Sequence, residues 1–184
     1  NPAPLVLAEI PDPMPGDGEI LVRVAVCGVC HTELDEIEGR TPPPHLPVIL
    51  GHQVVGTVQC FGSGVTRFST GDRVGVAWIF DACLECHYCR RGDENLCSAF
   101  RATGRDAHGG YAELMTVPQE FAFPIPEIFS DAEAAPLLCA GAIGSPQILM
   151  LSGVGDPDEI TPHGIEMRAE LKGVGRNLQD HLQA

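Results

Sequence analysis

The chain has 184 residues, with 25 acidic against 11 basic side chains, a formal net charge of −14 and a single lysine, Lys172. That balance argues against partnership with nucleic acid or an anionic membrane surface, which requires clustered Lys and Arg. No apolar run is long enough to span a bilayer and no basic segment precedes an apolar signal core, so a cytoplasmic location is expected. The eight cysteines, mostly at metal-like spacings, fit a reducing compartment.

The length suits one domain with a full core, or one domain plus a piece of another. The opening NPAPLVLAEIPDP starts on Asn1 rather than Met and reads as joining a fold already under way. Pro2 to Gly18 is turn-rich and extended. From Glu19 to Val26 the apolar residues Ile20, Val22, Val24 and Val26 alternate, which predicts a half-buried strand that delivers Cys27 and Cys30 at its end. Further strands are predicted over Val48–Val58, over Arg73–Ile79 beyond the Gly71–Asp72 turn, and over Gly110–Val117. Phe121–Pro126 is proline-broken and extended. Ser130 is placed to cap a helix running to Leu138, with acidic residues in its first turn. Past Ala140 the character changes: Gly144–Leu151 has helical potential, Asp156–Gly164 is a broken polar stretch, and Gly173–His181 is a glycine-rich turn followed by NLQDH. Short strands punctuated by glycine predict a mainly β fold, barrel or sandwich, with a partly helical tail.

Between the third and fourth strands lies CLECHYCRRGDENLC, in which Cys83, Cys86, Cys89 and Cys97 are spaced to close four thiolates around a zinc ion. Such a site has no open position and is structural. Two disulfides are the alternative, though cysteines three apart on a tight loop rarely meet disulfide geometry. A second, scattered set is Cys30, His52 and Cys139. Brought together by folding, one nitrogen and two sulfurs would leave zinc's fourth position open for water or an alcohol. Individually, each also reads as a buried thiol, a hydrogen-bonded turn histidine or a small core residue.

The segments CGVCHT, GHQVVG with Gly62, Val65 and the GDRV turn, the four-cysteine lobe and PLLCAG resemble, in order, the zinc-dependent alcohol dehydrogenases of the medium-chain dehydrogenase/reductase family. The resemblance covers about residues 1–144 and implies a GroES-like catalytic domain over 1–140. It also implies a catalytic zinc on Cys30, His52 and Cys139, a second, structural zinc, and oxidation of a small alcohol with hydride passing to NAD(P)⁺. By the same resemblance Thr32 begins a proton relay and His31 meets the coenzyme pyrophosphate. Three departures stand out: Gln53 replaces the family's Glu after the zinc His, Glu33 replaces an Asp and is expected to orient His52, and Asp35 stands in the catalytic set where the family has the relay His, so protons are expected to leave by a carboxylate or directly to water.

A different class is suggested by Cys27 to His31 and Cys83 to His87, both of which match the C-x-x-C-H haem attachment pattern. A two-haem carrier would leave Cys89 and Cys97 without a task. The tail, AGAIGSPQILMLSGVG and then GVGRNLQDH, is similar to the FAD-dependent glucose-methanol-choline (GMC) oxidoreductases over about 140–184. It lacks the GxGxxG of a dinucleotide fold, so 141–184 is expected to be a fragment that does not bind FAD alone. The joint reads as a chimera, and uncovered sheet edges are expected to invite association.

Overall fold

The computed structural model describes residues 4–138 and 141–176. The described chain divides into two units, Asn1–Ala135 and Pro136–Ala184. The first is mainly β. Strands β1 (Glu19–Cys27), β2 (Val54–Phe61) and β3 (Arg73–Val76) join two later ones, β6 (Leu114–Pro118) and β7 (Ala122–Pro124), in a five-stranded antiparallel sheet ordered β6-β1-β2-β3-β7. Two register shifts between β1 and β2, at Leu21/Val22 and between Val24 and Val26, supply the local bends that curl it. Its inner face buries the alternating set: Ile20, Val22, Val54, Val58, Val74, Val76 and Val117 are fully inaccessible and Met115 nearly so. Each such side chain contributes about 1.5–3 kcal/mol by leaving water.

The expected strand over Val48–Val58 begins only at Val54. Gly51, at φ +97°, turns the chain before it. The backbone of 49–51 pairs instead with a distant loop, accepting from Gly109 N at 2.7 Å, Tyr111 N at 2.9 Å and Gly110 N at 2.8 Å. Only glycine fits at 109, because a Cβ there would lie 2.1 Å from the Gly51 carbonyl oxygen. The expected Arg73–Ile79 strand splits into β3 and β4 (Ile79–Asp81), which leaves the sheet to pair with β5 (Arg101–Ala102). Together β4 and β5 form the neck from which the four-cysteine lobe projects, as the excursion between strands that its position predicts.

A helix that sequence reading does not anticipate, α1 (His31–Ile37), follows β1 directly. The helix expected from Ser130 is present as α2 (Asp131–Leu137): Glu133 N donates to Ser130 Oγ at 3.3 Å while Ser130 N donates to Glu133 Oε2 at 2.9 Å, a reciprocal cap.

In the second unit α3 (Gly141–Leu151) leads to β8 (Val154–Gly155), which pairs in parallel with β9 (Ala169–Glu170). Between them, the stretch expected to be broken and polar contains α4 (Pro157–Ile160). Asp156 caps that helix by accepting from Asp158 N at 3.1 Å, and Pro157 occupies the first helical position, where a missing N–H costs nothing.

Candidate metal centres

In the lobe the four sulfurs lie within 4.8 Å of one another. Cys97 Sγ and Cys83 Sγ are 3.5 Å apart, Cys86 and Cys89 3.5 Å, and Cys83 and Cys89 3.9 Å. A disulfide needs about 2.05 Å, so these are four separate thiols. Zn–S bonds of about 2.3 Å at tetrahedral angles put sulfurs about 3.8 Å apart, and the tetrad fits that figure. The backbone is shaped to the sulfurs as well. Leu84 sits at φ +58°, a left-handed conformation that costs a non-glycine residue about 1–2 kcal/mol, and the turn brings Cys86 N to 3.3 Å from Cys83 Sγ. Backbone N–H groups of Glu85 and Cys86, with the Cys97 thiol, hold the Cys83 thiol down to about 6. With all four sulfurs gathered in one cluster, Cys83 and Cys86 do not stand apart as a haem-attachment pair.

The second centre is built where β1 ends. Cys30 is the N-cap of α1: Thr32 N donates to its Sγ at 3.3 Å, and its own N–H donates to Glu33 Oε2 at 2.9 Å. This is a capping box with a thiol in place of the usual hydroxyl. The other Glu33 oxygen, Oε1, lies 2.7 Å from His52 Nδ1, and both side chains are almost completely buried. The ring is thereby aimed, with Nε2 standing 3.3 Å from Cys30 Sγ. Zinc at about 2.3 Å from sulfur and about 2.05 Å from nitrogen separates the two by about 3.6 Å, close to what is found. Burial pushes the Glu33 carboxyl up, but the pairing with His52 and the Cys30 N–H outweigh it and hold the group at about 2, so it is ionised at neutral pH.

The structure therefore brings Cys30, Glu33 and His52 together. Cys139 lies outside the described residues. Thr32 is half-buried in the first turn of α1. His31 and Asp35 are on its outer side: the His31 side chain is 77% exposed and 3.6 Å from Asp35, and Asp35 accepts from Arg40 Nε at 2.6 Å. Gln53 is buried, and its backbone carbonyl accepts from Gly28 N at 2.9 Å.

Two neighbours escape sequence reading. Tyr111 Oη donates to the Gly28 carbonyl at 3.4 Å, and burial with the Glu33 charge pushes its phenol up. Glu36, one turn beyond Glu33, is 6% exposed, and its Oε2 has no hydrogen-bond partner. Burial first, then the Glu33 charge, push the Glu36 carboxyl up to about 7 from 4.5. A raised acid destabilises the fold only where the unfolded state is ionised. Stability is thus unaffected below about pH 4.5, falls as pH rises to about 7, and is level beyond. Glu36→Gln is expected to be more stable than wild type by about 1–3 kcal/mol at pH 8. The difference should vanish near pH 4, as read by urea denaturation across pH. A difference that does not vary with pH would contradict this.

Comparison with known proteins places this geometry. A family model described as the alcohol dehydrogenase GroES-like domain matches residues 16–127, and one described as GMC oxidoreductase matches residues 127–183. A probable alcohol dehydrogenase AdhA of Mycobacterium tuberculosis (strain CDC 1551 / Oshkosh) is 50% identical over 154 residues, 81% of this chain and 44% of that protein. Among solved structures, a cinnamyl alcohol dehydrogenase from Sorghum bicolor superposes with a TM-score of 0.68 at 32% identity, covering 87% of this chain and 52% of its own. An NAD-dependent alcohol dehydrogenase gives 0.70 at 26% identity, over 89% and 58%. The chain thus spans about half the length of the relatives it matches. Among the described residues no helix is long and apolar enough to cross a membrane. A mainly β unit matched over 16–127, with these cysteine and histidine positions, makes the chain a member of the medium-chain alcohol dehydrogenase family, and its first unit that family's GroES-like domain.

Proposed function

We propose that residues 1–140 are the catalytic, two-zinc domain of an alcohol dehydrogenase that oxidises a small alcohol to an aldehyde or ketone, with hydride passing to NAD(P)⁺. The observation that carries this reading is His52 Nε2 turned to 3.3 Å from Cys30 Sγ while Glu33 occupies Nδ1. A histidine held from behind by a carboxylate is the usual form of a zinc ligand. Cys30, His52 and Cys139 would hold the catalytic ion, and Cys83, Cys86, Cys89 and Cys97 the structural one. When bound, the open-sided ion supplies Lewis-acid chemistry that lowers the pKa of an alcohol toward neutrality. Two thiolates offset its charge, and Gln53 adds none where a carboxylate would. Thr32 takes the alcohol's proton, and His31 at the exposed start of α1 meets the coenzyme's pyrophosphate.

The proposal extends to a cytoplasmic protein without nucleic-acid or membrane partners. The GMC-like tail is read as the product of a joining event that does not bind FAD by itself, which independent reads across codons 135–150 would test. A polypeptide of residues 1–184 is expected to turn over little. Among the described residues after 140, the sheet consists of two strands of two residues each, β8 and β9, and no dinucleotide fold. That observation also favours a second reading, a two-zinc module that associates with another chain through uncovered sheet edges. Purified protein should hold two zinc ions per chain, and Cys139→Ser should hold one. Measurable nicotinamide binding supports the enzyme, while its absence beside two tightly held ions supports the module. A single zinc in wild type would overturn both.

A further inference from the structure

Tyr111 touches both of the turns that carry the ligands of the second centre. Cys30 stands two residues beyond Gly28, and His52 follows Gly51 directly. The ladder between β1 and β2 ends where Cys27 pairs with Val54. Just past that end Gly28 N donates to the Gln53 carbonyl at 2.9 Å, and both ligand-bearing turns lie outside the sheet.

Tyr111 holds this region at three points. Its N–H donates to the Leu50 carbonyl at 2.9 Å, and its hydroxyl donates to the Gly28 carbonyl at 3.4 Å. Between those ends the ring lies against Gly51, where a Cβ would come within 2.6 Å of Tyr111 Cδ1 and 2.9 Å of Cε1. Glycine is therefore required at 51 twice over, by the turn at φ +97° and by the ring. Gly109 N on the Ile49 carbonyl at 2.7 Å and Gly110 N on the Gly51 carbonyl at 2.8 Å fix the backbone from which the tyrosine springs. With two rotatable side-chain bonds, it spans the gap as a stiff strut. Burial first, then the Glu33 charge, push the phenol above its ordinary value, so it keeps its proton and stays a donor at neutral pH.

We propose that Tyr111 is a positioning residue of the catalytic metal centre: ring and hydroxyl together hold the turn of His52 and the turn of Cys30 at the separation a zinc ion needs, before the ion binds. This rests on the reading of Cys30 and His52 as ligands of one catalytic ion. The 3.3 Å between Cys30 Sγ and His52 Nε2 depends on where the two turns are fixed. Glu33 and Tyr111 have separate parts in that. The carboxylate sets the rotation of the imidazole, and the tyrosine sets the distance between the backbones that carry the ligands. A site assembled in advance loses no binding free energy to ordering its ligands, so removing the strut weakens metal binding.

Tyr111→Phe keeps the ring on Gly51 and removes the hydroxyl, while Tyr111→Leu removes both. Full chain loaded with zinc is titrated with a competing chelator, and full chain loaded with cobalt gives an absorption spectrum, with Cys30→Ser supplying the spectrum of the lobe's ion alone. Loss of one neutral hydrogen bond is expected to weaken retention of the centre's ion by about 3–10-fold in Tyr111→Phe, and Tyr111→Leu to weaken it further. The centre's cobalt bands should shift in both variants, while the lobe's ion keeps its wild-type affinity and spectrum. A tyrosine that only packs would lower the urea midpoint and leave the bands where they are. That result, or wild-type retention of both ions in both variants, overturns the inference alone. Wild type that binds zinc only at the lobe overturns the proposed function and this inference with it.

Discussion

Cys97→Ser is expected to cost the protein one zinc ion and to unfold the lobe between β4 and β5, with a loss of roughly 5 kcal/mol or more against the ~5–15 kcal/mol that holds a domain of this size. The expectation follows from how little else holds the lobe. Its regular structure is two three-residue turns, Cys89–Arg91 and Glu94–Leu96, and its larger apolar side chains face outward: Leu84 is 45% exposed, Tyr88 44% and Leu96 55%. Of the lobe, Cys89 and Cys97 are the buried members of the core cluster, with Cys86 and Phe100 partly buried against it. A segment with so little apolar burial does not offset its own ordering entropy, so the metal must. The five-stranded sheet has its own core and should stay folded. Zinc analysis and limited proteolysis with mass spectrometry would read the result as one ion fewer and new cleavage within 83–100. Unchanged zinc content with an unchanged protease pattern would contradict the assignment.

The lobe and the first strand were legible for local reasons. Ile20, Val22 and Val24 announce β1 because alternation is a property of the strand alone, and four cysteines within fifteen residues announce a metal because the loop is too short to put them elsewhere. Helix α1 was not legible, and its residues say why. Its cap is a cysteine rather than a hydroxyl or carboxylate, and its pattern is inside out: Glu33 and Glu36 are buried while Leu34 is 45% exposed. A helix that serves a polar site violates the periodicity by which helices are found. The start of β2 failed for a different reason. Residues 49–51 are apolar enough for a strand, but their partners at 109–111 lie some sixty residues away, and no local pattern reports that pairing. The proximity of Cys30 to His52 is of the same kind: the sequence marks both as candidate ligands, and the antiparallel pairing of Cys27 with Val54 makes them neighbours.

Glu33 offers the sharpest separation of structure from metal chemistry, because its two oxygens have different tasks. Oε2 closes the helix cap on Cys30 N, and Oε1 holds His52. Glutamine serves as a capping-box acceptor as well as glutamate does, so Glu33→Gln should preserve α1. What it removes is the negative charge behind the imidazole, which raises ligand basicity and fixes the ring. Removing the hydrogen-bonded carboxylate behind a ligating histidine lowers metal affinity by about 10–100-fold, or about 1.4–2.7 kcal/mol. The expected result is weakened retention of one zinc in competition with a chelator, while the lobe's zinc is held as in wild type and serves as an internal reference. Glu33→Ala should show the same loss plus about 1 kcal/mol of destabilisation from the missing cap, and His52→Ala should abolish the weaker site altogether. If Glu33→Gln retained both ions at wild-type affinity, the carboxylate would be only a helix cap, and His52 would owe its orientation to packing.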